Sequence, residues 1–147
     1  MIKILISKCL LGENCKYNGR NNLREYLVNI QDKVEFIPVC PEVMGGLPTP
    51  RIPSEIRDEK VYNEIELDVT RNYLEGATKV LEIAKENKVK YAIFKERSPS
   101  CGVHNIYDGN FSKKTIKGKG ITTRLLEENG IKVYSDEEIE ELINNKN

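Results

Sequence analysis

The chain has 147 residues, with 23 Lys and Arg against 23 Asp and Glu, so its formal net charge is zero. That balance argues against a long nucleic acid or an anionic membrane surface as partner. No apolar stretch approaches the ~20 residues of a membrane span, and Met1-Ile2-Lys3-Ile4-Leu5-Ile6 turns polar too soon for a signal peptide.

The length suits a single domain, residues 1–147, with chain enough to bury a core. A cytoplasmic location with reduced thiols is the expectation. Four cysteines in such a chain read as ligands, catalysts or core, not as a disulfide frame.

Residues 2–7 read as a first strand, apolar enough to be covered on both faces. Cys9 falls just past its end, and a polar loop with Cys15, Tyr17 and Gly19 follows. Leu23, Tyr26, Leu27 and Ile30 then recur at helical spacing, which predicts an amphipathic helix over 20–32. A second strand, 34–39, delivers Cys40 to its carboxyl end, where Pro41 stops the ladder. Strand, helix and strand in that order predict parallel pairing. Glu42 comes two residues after the thiol, and Gly45-Gly46 offers a turn or a close backbone approach.

From Gly45 to Pro53 three prolines exclude a helix or a central strand. A stiffened loop there would hold Arg51 and Glu55 in place; an ion pair between these two weighs equally with a ligand-binding role for Arg51. Residues 56–67 alternate weakly, as in a small exposed hairpin. Asp68 or Thr70 caps the next helix, with Tyr73, Leu74, Ala77, Val80, Leu81 and Ala84 as its apolar stripe. Residues 90–95 form a third strand that runs into Glu96-Arg97-Ser98-Pro99-Ser100-Cys101-Gly102. A loop turning at Asp108-Gly109 leads to a short helix, 121–129, stopped by Gly130. Residues 131–134 are the last strand, and Ser135 with Glu138 forms a capping box for a final helix bearing Ile139 and Leu142.

This order of elements predicts an α/β fold: a mostly parallel central sheet flanked by helices, a Rossmann-like three-layer single domain. In such a sheet all strand carboxyl ends share one edge, and ligands bind in the crevice outside it. Cys9, Cys40 and Cys101 each follow a predicted strand directly, so the topology gathers three thiols at that crevice.

Thiolates suit zinc, copper(I) and iron–sulfur clusters. Structural zinc favours four closed ligands, often in CxxC pairs, and the chain has no CxxC. A zinc site would have to borrow Cys15 or His104, which leaves a zinc-stabilised nucleotide-binding module without catalysis as the alternative. A [4Fe-4S] cluster on three cysteines instead leaves one iron without a protein ligand, open to a substrate. Gly118-Lys119-Gly120-Ile121-Thr122 lacks the spacing of a phosphate-binding P-loop.

The motifs also carry a likeness. Ser7-Lys8-Cys9-Leu10-Leu11-Gly12, Cys15-Lys16-Tyr17-Asn18-Gly19, Val39-Cys40-Pro41-Glu42-Val43-Met44-Gly45-Gly46-Leu47, Pro50-Arg51, Arg97-Ser98-Pro99-Ser100-Cys101-Gly102, Tyr107-Asp108-Gly109 and Gly118-Lys119-Gly120-Ile121-Thr122 run in one order over nearly the whole chain. In these the chain resembles the thiouracil desulfurase family, with Asn18 where members often carry Asp.

The resemblance implies a [4Fe-4S] cluster on Cys9, Cys40 and Cys101, a catalytic carboxylate at Glu42, and a catalytic serine at Ser98 or Ser100, Ser98 ahead. It implies non-redox removal of sulfur from a small thiolated base, with sulfide released. Arg51, Tyr107 and Cys15 are its candidates for holding the base.

Overall fold

A computed structural model of the chain describes residues 1–145. In chain order the elements are β1 (Lys3–Ser7), a 3-10 turn (Lys8–Leu11), α1 (Glu25–Val28), β2 (Glu35–Val39), α2 (Pro41–Met44), β3 (Ser54–Arg57) and β4 (Lys60–Asn63). Then follow α3 (Thr70–Glu86), β5 (Tyr91–Phe94), β6 (Asn105–Tyr107), β7 (Thr115–Lys117), α4 (Ile121–Glu128), β8 (Lys132–Ser135) and α5 (Asp136–Asn145).

Four parallel strands make the central sheet in the order β2-β1-β5-β8. Side chains alternate across it with the two-residue period of a strand. Leu5 and Ala92 point to one face, where Val39, Phe94 and Val133 join them against Val80 and Ala84 of α3 and Leu126 of α4. Ile6 and Ile93 point to the other, against Leu10, Leu27, Tyr26 and Ile139. The three layers foreseen from the element order are therefore present. Residues such as Val80 and Leu126, with no exposed surface, each contribute about 1.5–3 kcal/mol relative to an exposed position. Ser135 and Glu138 cap α5 reciprocally: Glu137 N donates to Ser135 Oγ at 3.1 Å, and Ser135 N donates to Glu138 Oε1 at 2.7 Å. The side chain of Leu142 lies outside the described residues.

Several local expectations differ. The helix expected over 20–32 shrinks to Glu25–Val28. Asn22 N and Arg24 N donate to the carbonyls of Cys9 and Leu10, and Asn21 Oδ1 accepts from Leu23 N. These bonds hold 20–24 along the 3-10 turn and compete with helix formation. Leu74, expected in the stripe of α3, is exposed, and Gly76 takes a buried place there.

The hairpin β3-β4 is exposed only on one side. Ile56 and Val61 are buried with Tyr73 and Ala77 of α3, Ile106 of β6 and Ile121 of α4, whereas Ile65 and Leu67 stay outside. The hairpin β6-β7 has strands of three residues, too short to show a period.

Candidate active site

Parallel pairing sets the ends of β1, β2 and β5 along one edge: Ser7 pairs with Val39, and Lys95 N donates to Ser7 Oγ at 2.9 Å. The chain leaves each strand with a cysteine close by. Cys9 sits in the 3-10 turn after β1, Cys40 caps α2 directly after β2 with Pro41 as the first helical residue, and Cys101 lies in the turn after β5. All three, with Cys15, line one cavity of ≈ 520 Å³.

The thiols differ in proton affinity. Cys40 is lowered to about 7, first by a hydrogen bond with Cys15, and further by the backbone N–H of Val43, against the opposing effect of burial. Cys9 is also lowered, by Cys15 first and by Asn22, whose Nδ2 donates to Cys9 Sγ at 3.4 Å. Cys15, between these two sulfurs, is correspondingly raised far above the ordinary thiol range. Burial pushes Cys101 up to about 12, partly countered by the hydroxyls of Ser7 and Ser100.

Facing the thiols is Glu42, on the first turn of α2. Its Oε1 accepts from Tyr73 Oη at 2.9 Å and from Arg51 Nε at 3.4 Å, and its Oε2 accepts from Ser100 Oγ at 2.9 Å. Ser100 is wholly buried, with its Oγ 3.6 Å from Cys101 Sγ. Ser98 lines the cavity. Ser98 Oγ accepts from Ser100 N and Cys101 N at 3.1 and 3.0 Å and lies 3.0 Å from Ser100 Oγ. With the proton of Ser100 committed to Glu42, the proton between the serines comes from Ser98. The two serines thus hold different posts: Ser98 lines the cavity and orders the loop before Cys101, and Ser100 braces the carboxylate.

Residues 4–138 match the model of the family described as 2-thiouracil desulfurase. The chain belongs to the 2-thiouracil desulfurase family. It is 40% identical over 150 residues to the protein YbbK of Bacillus subtilis (strain 168), covering 95% of this chain and 99% of that one. It is 39% identical to the solved [4Fe-4S]-dependent thiouracil desulfidase TudS, with a TM-score of 0.91 over 97% of this chain and 96% of that chain.

In this desulfurase Arg51 does not pair with Glu55. Its guanidinium spans Glu42 and the Cys15 carbonyl, which accepts from Nη2 at 2.8 Å, and so ties the Cys15 loop to the carboxylate. Glu55 instead accepts from the backbone N–H groups of Gly109 and Phe111, at 3.0 and 3.2 Å, holding the loop after β6 beside the cavity. Tyr107, at the end of β6, lines that wall half-buried. His104 lies outside the cavity with its Nε2 3.2 Å from Glu138 Oε1.

Sequence reading missed Ser7, Asn22, Tyr73 and Lys95. Ser7, Asn22 and Lys95 line the cavity; for Ser7 and Lys95 the one available signal was position, at strand ends beside the thiols, and Asn22, in the loop before α1, carried none. Tyr73 was placed in an apolar stripe, where a phenol is the one polar group.

Soft thiols, two of them lowered, are a donor set that fits an iron–sulfur cluster. Among the described residues no helix is long and apolar enough to cross a membrane.

Proposed function

We propose that the protein replaces the sulfur of a 2-thiouracil-like base with oxygen from water, without net redox, and releases sulfide. The balance is one thiocarbonyl and one water giving one carbonyl and one hydrogen sulfide. A [4Fe-4S] cluster held by Cys9, Cys40 and Cys101, with one iron free of protein ligands, supplies Lewis acidity toward the thiocarbonyl sulfur.

The observation that carries this reading is the aim of Glu42. It is fixed by Tyr73 and Ser100 on the wall of the cavity that the three thiols share. From there the carboxylate takes a proton from the attacking water and returns one to the departing sulfur. Ser98 lines the cavity and orients water or base once its proton turns from Ser100 Oγ toward the cavity. Ser100 keeps Glu42 in place. Arg51, Tyr107 and Cys15 hold or border the base, and the volume of ≈ 520 Å³ suits a small molecule.

The test is turnover of 2-thiouracil by anaerobically reconstituted protein, with uracil and sulfide counted. Glu42→Gln is expected to lose at least about a hundredfold in kcat while keeping the visible absorbance of the cluster. Normal turnover by that variant contradicts the proposal.

A further inference from the structure

Phe111 lies in the loop between β6 and β7, half-buried in a stretch, residues 110–114, that is otherwise exposed. It joins none of the three apolar clusters that the described residues form. Phe111 lines the cavity of the thiols instead, together with Tyr17 and Tyr107. Its cover therefore comes from the site and not from the core.

The backbone there is strained. Phe111 has φ 54°, in the left-handed region that a bulky side chain rarely occupies. Among the described residues the other non-glycine side chains in that region are all charged. A loop that only had to turn would give this conformation to the neighbouring Asn110 or to a glycine. Such strain persists where the surroundings over-determine it, and it gathers at ligand sites. Here Glu55, 9% exposed, takes Gly109 N and Phe111 N on one oxygen, at 3.0 and 3.2 Å. A Cβ on Gly109 would lie 2.6 Å from Ile56 O, so the loop rests on the main chain of β3. Asp108 ties the loop from within, accepting from Asn110 N and Ser112 Oγ at 2.9 Å each.

We propose that Phe111 is a specificity-determining residue: its ring is the platform on which the flat face of the base stacks, so the site selects planar, unsaturated thiolated bases over puckered ones. The inference rests on the desulfuration described above. Every planar base offers a π-face to an aromatic ring, whatever its substituents. The face stays flat while the thiocarbonyl reacts, so stacking holds ground state and transition state alike. Its loss therefore shows in KM and not in kcat.

The experiment measures kcat and KM in reconstituted wild type, Phe111→Leu and Phe111→Trp, with cluster absorbance and melting temperature recorded for each. The probes are 2-thiouracil and 5,6-dihydro-2-thiouracil, run as alternative substrate or competitor. The second keeps the thiocarbonyl and the polar edge of the ring but is puckered. Phe111→Leu is expected to keep its cluster and raise KM for 2-thiouracil about tenfold, with kcat and the affinity for the dihydro compound little changed. An unchanged KM for 2-thiouracil, or an equal weakening of both compounds, in cluster-loaded Phe111→Leu overturns the proposal. The chain has no Trp, so the emission of Phe111→Trp reports on position 111 alone. Uracil is expected to quench it saturably at the concentrations that inhibit turnover. Should Phe111→Leu fail to fold, unquenched emission at those concentrations overturns the proposal. A wild type that leaves 2-thiouracil intact refutes the desulfuration itself, whereas an active wild type with an unaltered Phe111→Leu condemns Phe111 alone.

Discussion

Gly45 and Gly76 face each other where α2 crosses α3, each leaving no room for a side-chain carbon against the backbone of the other helix. Glu42 and Tyr73 sit one turn away on the same two helices, so this contact is what lets a phenol of the core reach a carboxylate of the site.

Gly76→Ala tests that contact. In an open helix the change would gain about 1 kcal/mol of propensity. Here the new methyl meets Pro41 O, a main-chain atom that cannot rotate away. Overpacking costs about 1–3 kcal/mol, more where backbone must move. The expected result is a lower melting temperature and, in the surviving folded protein, a marked loss of kcat as α2 shifts with Glu42. A stabilised, fully active variant would show that the helices are free to part.

Cys40 and Cys101 should differ in reactivity before a cluster is installed. Cys40 is lowered to about 7 by Cys15 and the Val43 N–H, whereas burial raises Cys101 to about 12. The thiolate is the nucleophile, so iodoacetamide labelling of Cys40 is expected to rise with pH around a midpoint near 7, with Cys101 unlabelled until the protein unfolds. Cys15→Ala should move the Cys40 midpoint toward the ordinary ~8.5. Mass spectrometry of labelled peptides reads both, and a midpoint already at the ordinary value in wild type would refute the assignment.

Glu96 anchors the loop that carries Ser98, Ser100 and Cys101. It is 2% exposed, and its Oε1 accepts from Val103 N, His104 N and Asn105 N at 2.7, 2.9 and 3.1 Å. Burial pushes its carboxyl up, but these N–H donors outweigh that and leave it below the ordinary value. A depressed folded-state value stabilises fully above the unfolded value, roughly pH 4.3, and the gain is lost as pH falls through the folded one. Glu96→Gln is expected to cost about 2 kcal/mol at neutral pH, with the gap to wild type narrowing below roughly pH 4. Urea melts at several pH values check this; a gap independent of pH would mean that the charge contributes nothing.

Much of the fold could be read from residue patterns because short apolar runs such as 34–39 and 90–95 ended at recognisable stops. The gathering of Cys9, Cys40 and Cys101 followed from parallel pairing alone, which puts every strand exit on one edge. The short α1 was illegible because its apolar spacing is real, yet Asn22 N and Arg24 N bond to a turn that periodicity does not record. Arg51 was equally hidden: Glu42 and Glu55 are both near it in sequence, and only the fold of the Gly45–Pro53 loop decides between them. Tyr73 was lost for the plainest reason, since a stripe identifies a buried face but not a hydroxyl whose partner lies 31 residues away.

The most direct measurement is iron and acid-labile sulfide per chain after anaerobic reconstitution, in wild type and in single Cys→Ser variants. The expected result is about four of each in wild type and in Cys15→Ser, with loss of the intact cluster in Cys9→Ser, Cys40→Ser and Cys101→Ser. About one zinc per chain with no iron, or a full cluster in any of those last three variants, would contradict a three-thiol cluster site at this edge of the sheet.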